Sequence, residues 1–181
     1  MTFRRPDHID EYKRGIFYKE EVYGQLWKRA WVNDVDKWQY RHNESFKVVR
    51  GIGRGHIMTG SETWKDYSIS SKISIPLASA AGLIVRSQGL KRYYSLELTS
   101  ENKLKINKME YELKTLNEID FNLEYFKDYD LKFKVDVNKL QGYVDNQLLI
   151  EAEDSSNPFK EGMMGFLTEN GAIQSNSISI E

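Results

Sequence analysis

At 181 residues the chain is long enough to bury one substantial hydrophobic core. Its formal net charge of −1 offers no basic field to nucleic acid or to an anionic membrane. Cysteine is absent, which excludes a disulfide framework, thiolate chemistry and cysteine-held zinc.

The first residues, MTFRRPDHIDEYKRG, contain no apolar signal core, and no apolar run approaches the length needed to cross a bilayer. The expectation is a soluble, cytoplasmic chain. Residues 1–15 are charged and unpatterned and read as a linker or an arm leading into the domain; residues 16–181 read as a single domain. From Phe17 to Tyr40 the chain is rich in aromatics, including Trp27, Trp31 and Trp38. Ile16, Tyr23, Trp27, Ala30 and Trp31 fit a helical stripe, but Gly24 interrupts it and everything downstream has strand character, so strand is expected here too.

Strands are expected at 46–50, 55–59, 67–75, 80–87, 92–99, 103–109, 111–116, 129–137, 140–145, 147–152, 163–168 and 172–180. Two of them alternate cleanly. Tyr67, Ile69, Ile73 and Ile75 alternate with Ser68, Ser70, Lys72 and Ser74, and Leu131, Phe133, Val135 and Val137 alternate with Lys132, Lys134, Asp136 and Asn138. Half-buried antiparallel strands have this pattern. Ser100-Glu101-Asn102, Asp145-Asn146 and Glu169-Asn170-Gly171 are short polar connections suited to hairpins. Many short strands and no long amphipathic helix predict an all-β fold, a two-sheet antiparallel jelly-roll sandwich. Tyr67, Ile69, Ile73, Tyr94, Leu96, Leu131, Phe133 and Val135 are the expected core.

The richest polar pattern lies between Gly82 and Thr99. Arg86 and Gln88 share one parity of the first strand, and Tyr93 and Glu97 share one of the next, with Ser87-Gln88-Gly89-Leu90 as the connection. A hairpin of this kind predicts Arg86, Gln88, Tyr93 and Glu97 side by side, with Arg92 at the rim. Arginine forks and a tyrosine ring bind hydroxyls, phosphates or carboxylates. A cross-strand Arg–Glu pair with a half-exposed tyrosine is the structural alternative.

Other motifs are weaker. Trp64 suits sugar stacking, although covering the sandwich edge is its commoner use. Glu118, Asp120 and Glu124 resemble the carboxylate strand of laminarinase-like glycosidases, but six residues of extended chain separate the glutamates by about 20 Å. A glycosidase pair needs about 5–10 Å. Asp34 and Asp36 are too few to define a calcium site. The run Gly51-Ile52-Gly53-Arg54-Gly55 lacks the helix and lysine of a phosphate loop and reads as a glycine-rich turn. His8, His42 and His56 are too scattered for a metal, and nothing brings them to an activated hydroxyl. No catalytic residue, metal or cofactor is assigned.

AAGLIVRSQGLKRYYSLEL, preceded by WKDYSISSKISIP and followed by KLKINKM, resembles the C-terminal jelly-roll domain of bacterial ADP-ribosylglycohydrolase-type proteins. More broadly it resembles the concanavalin A-like lectin and glucanase sandwiches. YDLKFKVDVNKLQGYVDNQLLIEAED and GMMGFLTENGAIQSNSISI continue the likeness, which covers residues 27–181. In that family the chemistry belongs to a separate helical domain that holds magnesium. The resemblance therefore implies a non-catalytic accessory domain, beside a catalytic domain of the parent protein. Three functions stand at this point: a carbohydrate-binding-like module for a glycan or an ADP-ribose-like ligand, a structural or protein-interaction domain, and a laminarinase-like glycoside hydrolase.

Overall fold

A computed structural model describes residues 1–3, 26–39 and 46–181. They form fourteen strands: β1 (Thr2–Phe3), β2 (Val32–Asn33), β3 (Lys37–Gln39), β4 (Phe46–Thr59), β5 (Tyr67–Leu77), β6 (Ala80–Ser87) and β7 (Arg92–Thr99), then β8 (Lys103–Glu110), β9 (Glu112–Asp120), β10 (Asp128–Asp136), β11 (Lys139–Val144), β12 (Gln147–Glu153), β13 (Met163–Ser175) and β14 (Ile178–Ile180). Every pairing is antiparallel. One layer runs β2-β4-β13-β6-β7-β8-β9, and the other runs β12-β11-β10-β5 and continues into β14 and β1. This is the jelly-roll sandwich that the alternating sequence predicts.

The two long strands β4 and β13 tie the layers together. They pair along most of their lengths, while β13 leaves β6 and joins β5 beyond Gly171. The change of layer coincides with a register shift between Glu169 and Gly171. It also explains the glycine-rich run: residues 46–50 and 55–59, expected as two strands around a turn, are one strand with a bend. Gly53 adopts φ +74° there, and its N–H donates to the Asn170 side chain at 2.8 Å. A bulge of this kind is how a strand passes from one sheet to another.

The core fills the space between the layers. Tyr67, Ile69 and Ile73 of β5, Leu131, Phe133 and Val135 of β10, and Tyr94 and Leu96 of β7 are all buried in it, with Phe46, Val48, Leu83, Phe166 and Ile173 around them.

Local expectations needed correction in several places. Leu26–Ala30 is a 3-10 turn, not strand, and among the described residues of this stretch only β2 and β3 are strands; residues 17–25 and Tyr40 lie outside the described residues. Val137 does not continue β10: it is exposed, at φ 53°, and starts the turn into β11. The final strand is broken at the corner between Ser175 and Ile178, where the Ser71 and Ser175 hydroxyls hydrogen-bond to each other at 2.7 Å and lie 2.8 and 3.0 Å from the Ser177 carbonyl oxygen. β9 runs on to Asp120, four residues past the expected end. At the amino end, in the stretch expected as a linker or an arm leading into the domain, Thr2 and Phe3 pair with Ser179 and Ile178, and residues 4–15 lie outside the described residues.

Candidate functional site

A sandwich needs to bury only the inner face of each sheet. The outer face of the β4-β13-β6-β7-β8 layer nevertheless carries a buried ionic network. Residues directly opposite one another across antiparallel strands share a face, and the register gives the rows. Arg54 lies opposite Glu169, His56 opposite Leu167, Leu167 opposite Gly82, Gly82 opposite Glu97, and Glu97 opposite Lys105.

Arg54 is the centre of the network. Its Nη1 and Nη2 donate to the two oxygens of Glu97 at 2.7 and 2.9 Å, and its Nε lies 2.8 Å from Glu169 Oε2. The bridge to Glu97 crosses three strand spacings, about 14 Å, so both side chains lie extended over β13 and β6. Strand β6 leaves room for this, because it turns Ala80 and Gly82 to that face. Gly82 has a second reason to be glycine: a Cβ there would come 1.8 Å from the Leu96 carbonyl oxygen.

The Glu97 side chain is 1% exposed, against 16% for Arg54 and 28% for Glu169. Burial pushes the Glu97 carboxyl up, but the bidentate hydrogen bonds and charge of Arg54 outweigh it. With further hydrogen bonds from Ser95 and Asn107, they hold it below the usual carboxylate range. Arg54 is correspondingly raised above its ordinary value. The second N–H of each Nη is left beside the buried Glu97, on the side of the Tyr93 hydroxyl, and Glu169 Oε1 is left over at the partly exposed end. Asn107 Oδ1, buried on the same face, has no partner among the described residues.

A second chain of polar contacts borders the first. Asp34, in the connection between β2 and β3, accepts the His56 backbone N–H at 2.6 Å and lies 3.2 Å from His56 Nδ1. His56 Nε2 is 2.9 Å from the Tyr93 hydroxyl. Burial raises the Asp34 carboxyl, but its hydrogen bonds with His56 more than compensate and leave it lowered. Burial pushes the Tyr93 phenol up to about 12. Met58, Ile84 and Leu167 pack around the Tyr93 ring, so this end of the face is apolar and closed.

The five residues expected from the sequence do not gather in one place. Tyr93 and Glu97 share this outer face, as their parity predicts. Arg86 does not join them, and a bulge is the reason. Four residues of β6, Ile84 to Ser87, stand against three of β13, Met163 to Gly165, and Arg86 takes φ 48°. The extra residue turns its side chain away from the Ile84 face, to the end of the core. There it is 1% exposed and holds three loops: it donates to the carbonyls of Lys65, Val137 and Phe159 and pairs with Asp66 at 2.7 Å. Gln88 and Arg92 sit at the hairpin tip, bonded to each other at 3.2 Å, with Gln88 donating to the Glu161 carbonyl and Arg92 to Glu110. Sequence parity missed Arg54 and Glu169, which were expected in turns, and left His56, within the expected strand 55–59, without its Tyr93 and Asp34 partners.

The remaining motifs resolve into structural contacts. Trp64 is half-buried, edge-on to Tyr67 with ring centres 6.1 Å apart. Asp36 accepts from Arg50 and from the Gly51 N–H. Glu118 lies in β9 beside Lys105 and Lys103, whereas Glu124 lies in the following loop, paired with Lys127 at 2.7 Å. No group of three or more potential metal-ligating side chains occurs among the described residues. No described helix is long and apolar enough to cross a membrane.

The fold is shared with solved structures. The carbohydrate-binding module CBM66 from Bacillus subtilis superposes with a TM-score of 0.75 at 21% identity, over 84% of this chain and 95% of that one. A Bacillus subtilis protein of unknown function with a galectin-like fold gives 0.70 at 10% identity, over 86% and 90%. The Caenorhabditis elegans galectin LEC-6 gives 0.55 at 8% identity, over 84% and 96%. This is a galectin-like sandwich. At these identities the likeness is one of fold. No protein-family model matches the chain, and no curated protein matches it.

Proposed function

We propose that this chain is a carbohydrate-binding-type domain, taking a hydroxylated ligand on the outer face of the β4-β13-β6-β7-β8 layer. The observation that carries the reading is the Arg54 network. A buried bidentate ion pair on a face that the fold does not need to bury is expensive to keep, and it fixes the partly exposed Arg54 guanidinium beside Glu169, a carboxylate with a spare acceptor. A sugar hydroxyl both donates and accepts, so such a pair suits it. In this reading Arg54 and Glu169 touch the ligand, while Glu97, Ser95 and Asn107 hold Arg54 in place. The similarity to a carbohydrate-binding module and to a galectin supports the reading at the level of fold.

The finer reading makes it a non-catalytic accessory domain beside the catalytic domain of an ADP-ribosylglycohydrolase-type protein. Its support is the sequence resemblance described above. Absence of turnover fits Glu97, which Arg54 holds as a buried, ion-paired carboxylate with no proton to donate. The test is a glycan array probed with the purified chain, followed by calorimetry on any glycan bound. Glu169→Ala is expected to weaken that binding at least tenfold with little change in melting temperature. Full affinity in Glu169→Ala and in Arg54→Lys would place the ligand elsewhere and refute the assignment.

A further inference from the structure

The outer face pairs each of its cations with more than one carboxylate. Arg54 is held by Glu97 and Glu169. Lys105 lies 3.0 Å from Glu101 and 3.5 Å from Glu118. Lys103, one row away, lies 2.8 Å from Asp120 and 3.8 Å from Glu118. Asp34, held on the ionised side, closes the β4 edge. Three cations thus face five carboxylates across this network, with Asp34 as a sixth at its border.

The consequence concerns which ligands the face accepts. A lone arginine in a binding site attracts phosphate, sulfate and carboxylate through its fork. Here both of the Arg54 edges nearest Glu97 and Glu169 are already occupied by carboxylates, and the local charge is negative. An anionic group brought to the Arg54 guanidinium meets the carboxylates of Glu97 and Glu169 at the same time. Like-charge juxtaposition rejects such a ligand without weakening an uncharged one.

We infer that Glu169 is a charge-selectivity residue, and that the face takes uncharged polyhydroxylated ligands, neutral glycans, in preference to acidic sugars or to nucleotide-linked sugars such as ADP-ribose. This rests on the binding reading above and narrows its ligand class. One charge removed at about 6 Å, at an effective dielectric constant between those of a protein surface and of water, changes the affinity for an anion by roughly tenfold.

The experiment uses the intact chain and its Glu169→Gln variant on an array carrying matched neutral and carboxylated or sulfated forms of the same oligosaccharides, with ADP-ribose titrated by calorimetry. Glutamine keeps an oxygen for the Arg54 Nε donor and removes only the charge, and an unchanged melting temperature confirms the fold. The wild-type signal is expected on neutral members alone, with no heat from ADP-ribose, and Glu169→Gln is expected to raise the anionic-to-neutral ratio about tenfold. Wild-type binding of an acidic member or of ADP-ribose as tight as that of the neutral form overturns the selectivity, and leaves the binding reading standing if Glu169→Ala still weakens it. A ratio unmoved by Glu169→Gln also overturns the role of Glu169. Binding of no array member and no ADP-ribose overturns the binding reading and this inference together.

Discussion

Replacing Arg54 by methionine tests the energetic centre of the site. The substitution keeps the apolar stem and removes the charge opposite a carboxylate that is 1% exposed. Glu97 loses two charge-assisted hydrogen bonds, each worth about 1.5–3 kcal/mol, and keeps those from Ser95 and Asn107. Breaking a buried pair from one side costs about 3–5 kcal/mol at neutral pH. For a chain of this length that is a fall of roughly 6–20 °C in Tm. The cost has a ceiling, because Glu97 without Arg54 escapes by taking up a proton. The loss measured by urea denaturation should therefore shrink as pH is lowered from 7 toward 4, and adding Glu97→Gln should recover a large part of it at pH 7. A cost below about 1 kcal/mol, or the same cost at both pH values, would show that Arg54 does not hold a charged Glu97.

Arg86→Met should destabilise by about 3–5 kcal/mol, since it strands the buried carbonyl of Phe159 and the part-buried one of Val137; a near-wild-type urea midpoint would refute the loop-clip role. Phe133→Ala should cost about 3–5 kcal/mol, because the ring is fully packed in the core, again read by urea denaturation. In acid, Glu97 and Asp34 both have folded pKa values below their unfolded ones. The stability they contribute is present above the unfolded carboxylate range and is lost as pH falls through their folded values. In alkali, Tyr93 is raised from 10 to about 12, so its contribution is complete below pH 10 and is lost between 10 and about 12. Melting temperature against pH should fall at both ends, and Tyr93→Phe should flatten part of the alkaline limb, the rest belonging to Tyr67 and Tyr94, which burial also raises.

Much of the architecture was legible in local pattern. Residues 67–75 and 129–137 alternate with period two, and period two has one structural meaning, a strand with one buried face. Tyr67, Ile69, Ile73, Leu131, Phe133 and Val135 lie in the core for that reason. Parity also placed Tyr93 and Glu97 on one outer face. What parity does not carry is a bulge. One extra residue at Arg86 reverses the face of everything beyond it, and no local composition marks where an extra residue will be taken up. Arg86 was therefore legible as a strand arginine, while its place under three loops was not.

Glu97 and Arg54 show the same division at longer range. The sequence by itself determined that Glu97 sits on the polar side of β7. Its partner lies 43 residues earlier, in a glycine-rich run that reads as a turn. Only the assembled sheet makes the two neighbours, because β13, from near the carboxyl end, inserts between β4 and β6 and sets their register. Side-chain periodicity depends on the few residues around each position, so a chain can be read for its strands. The order of strands in a sheet depends on which apolar faces find each other when the whole core closes, and that decision is made by the fold.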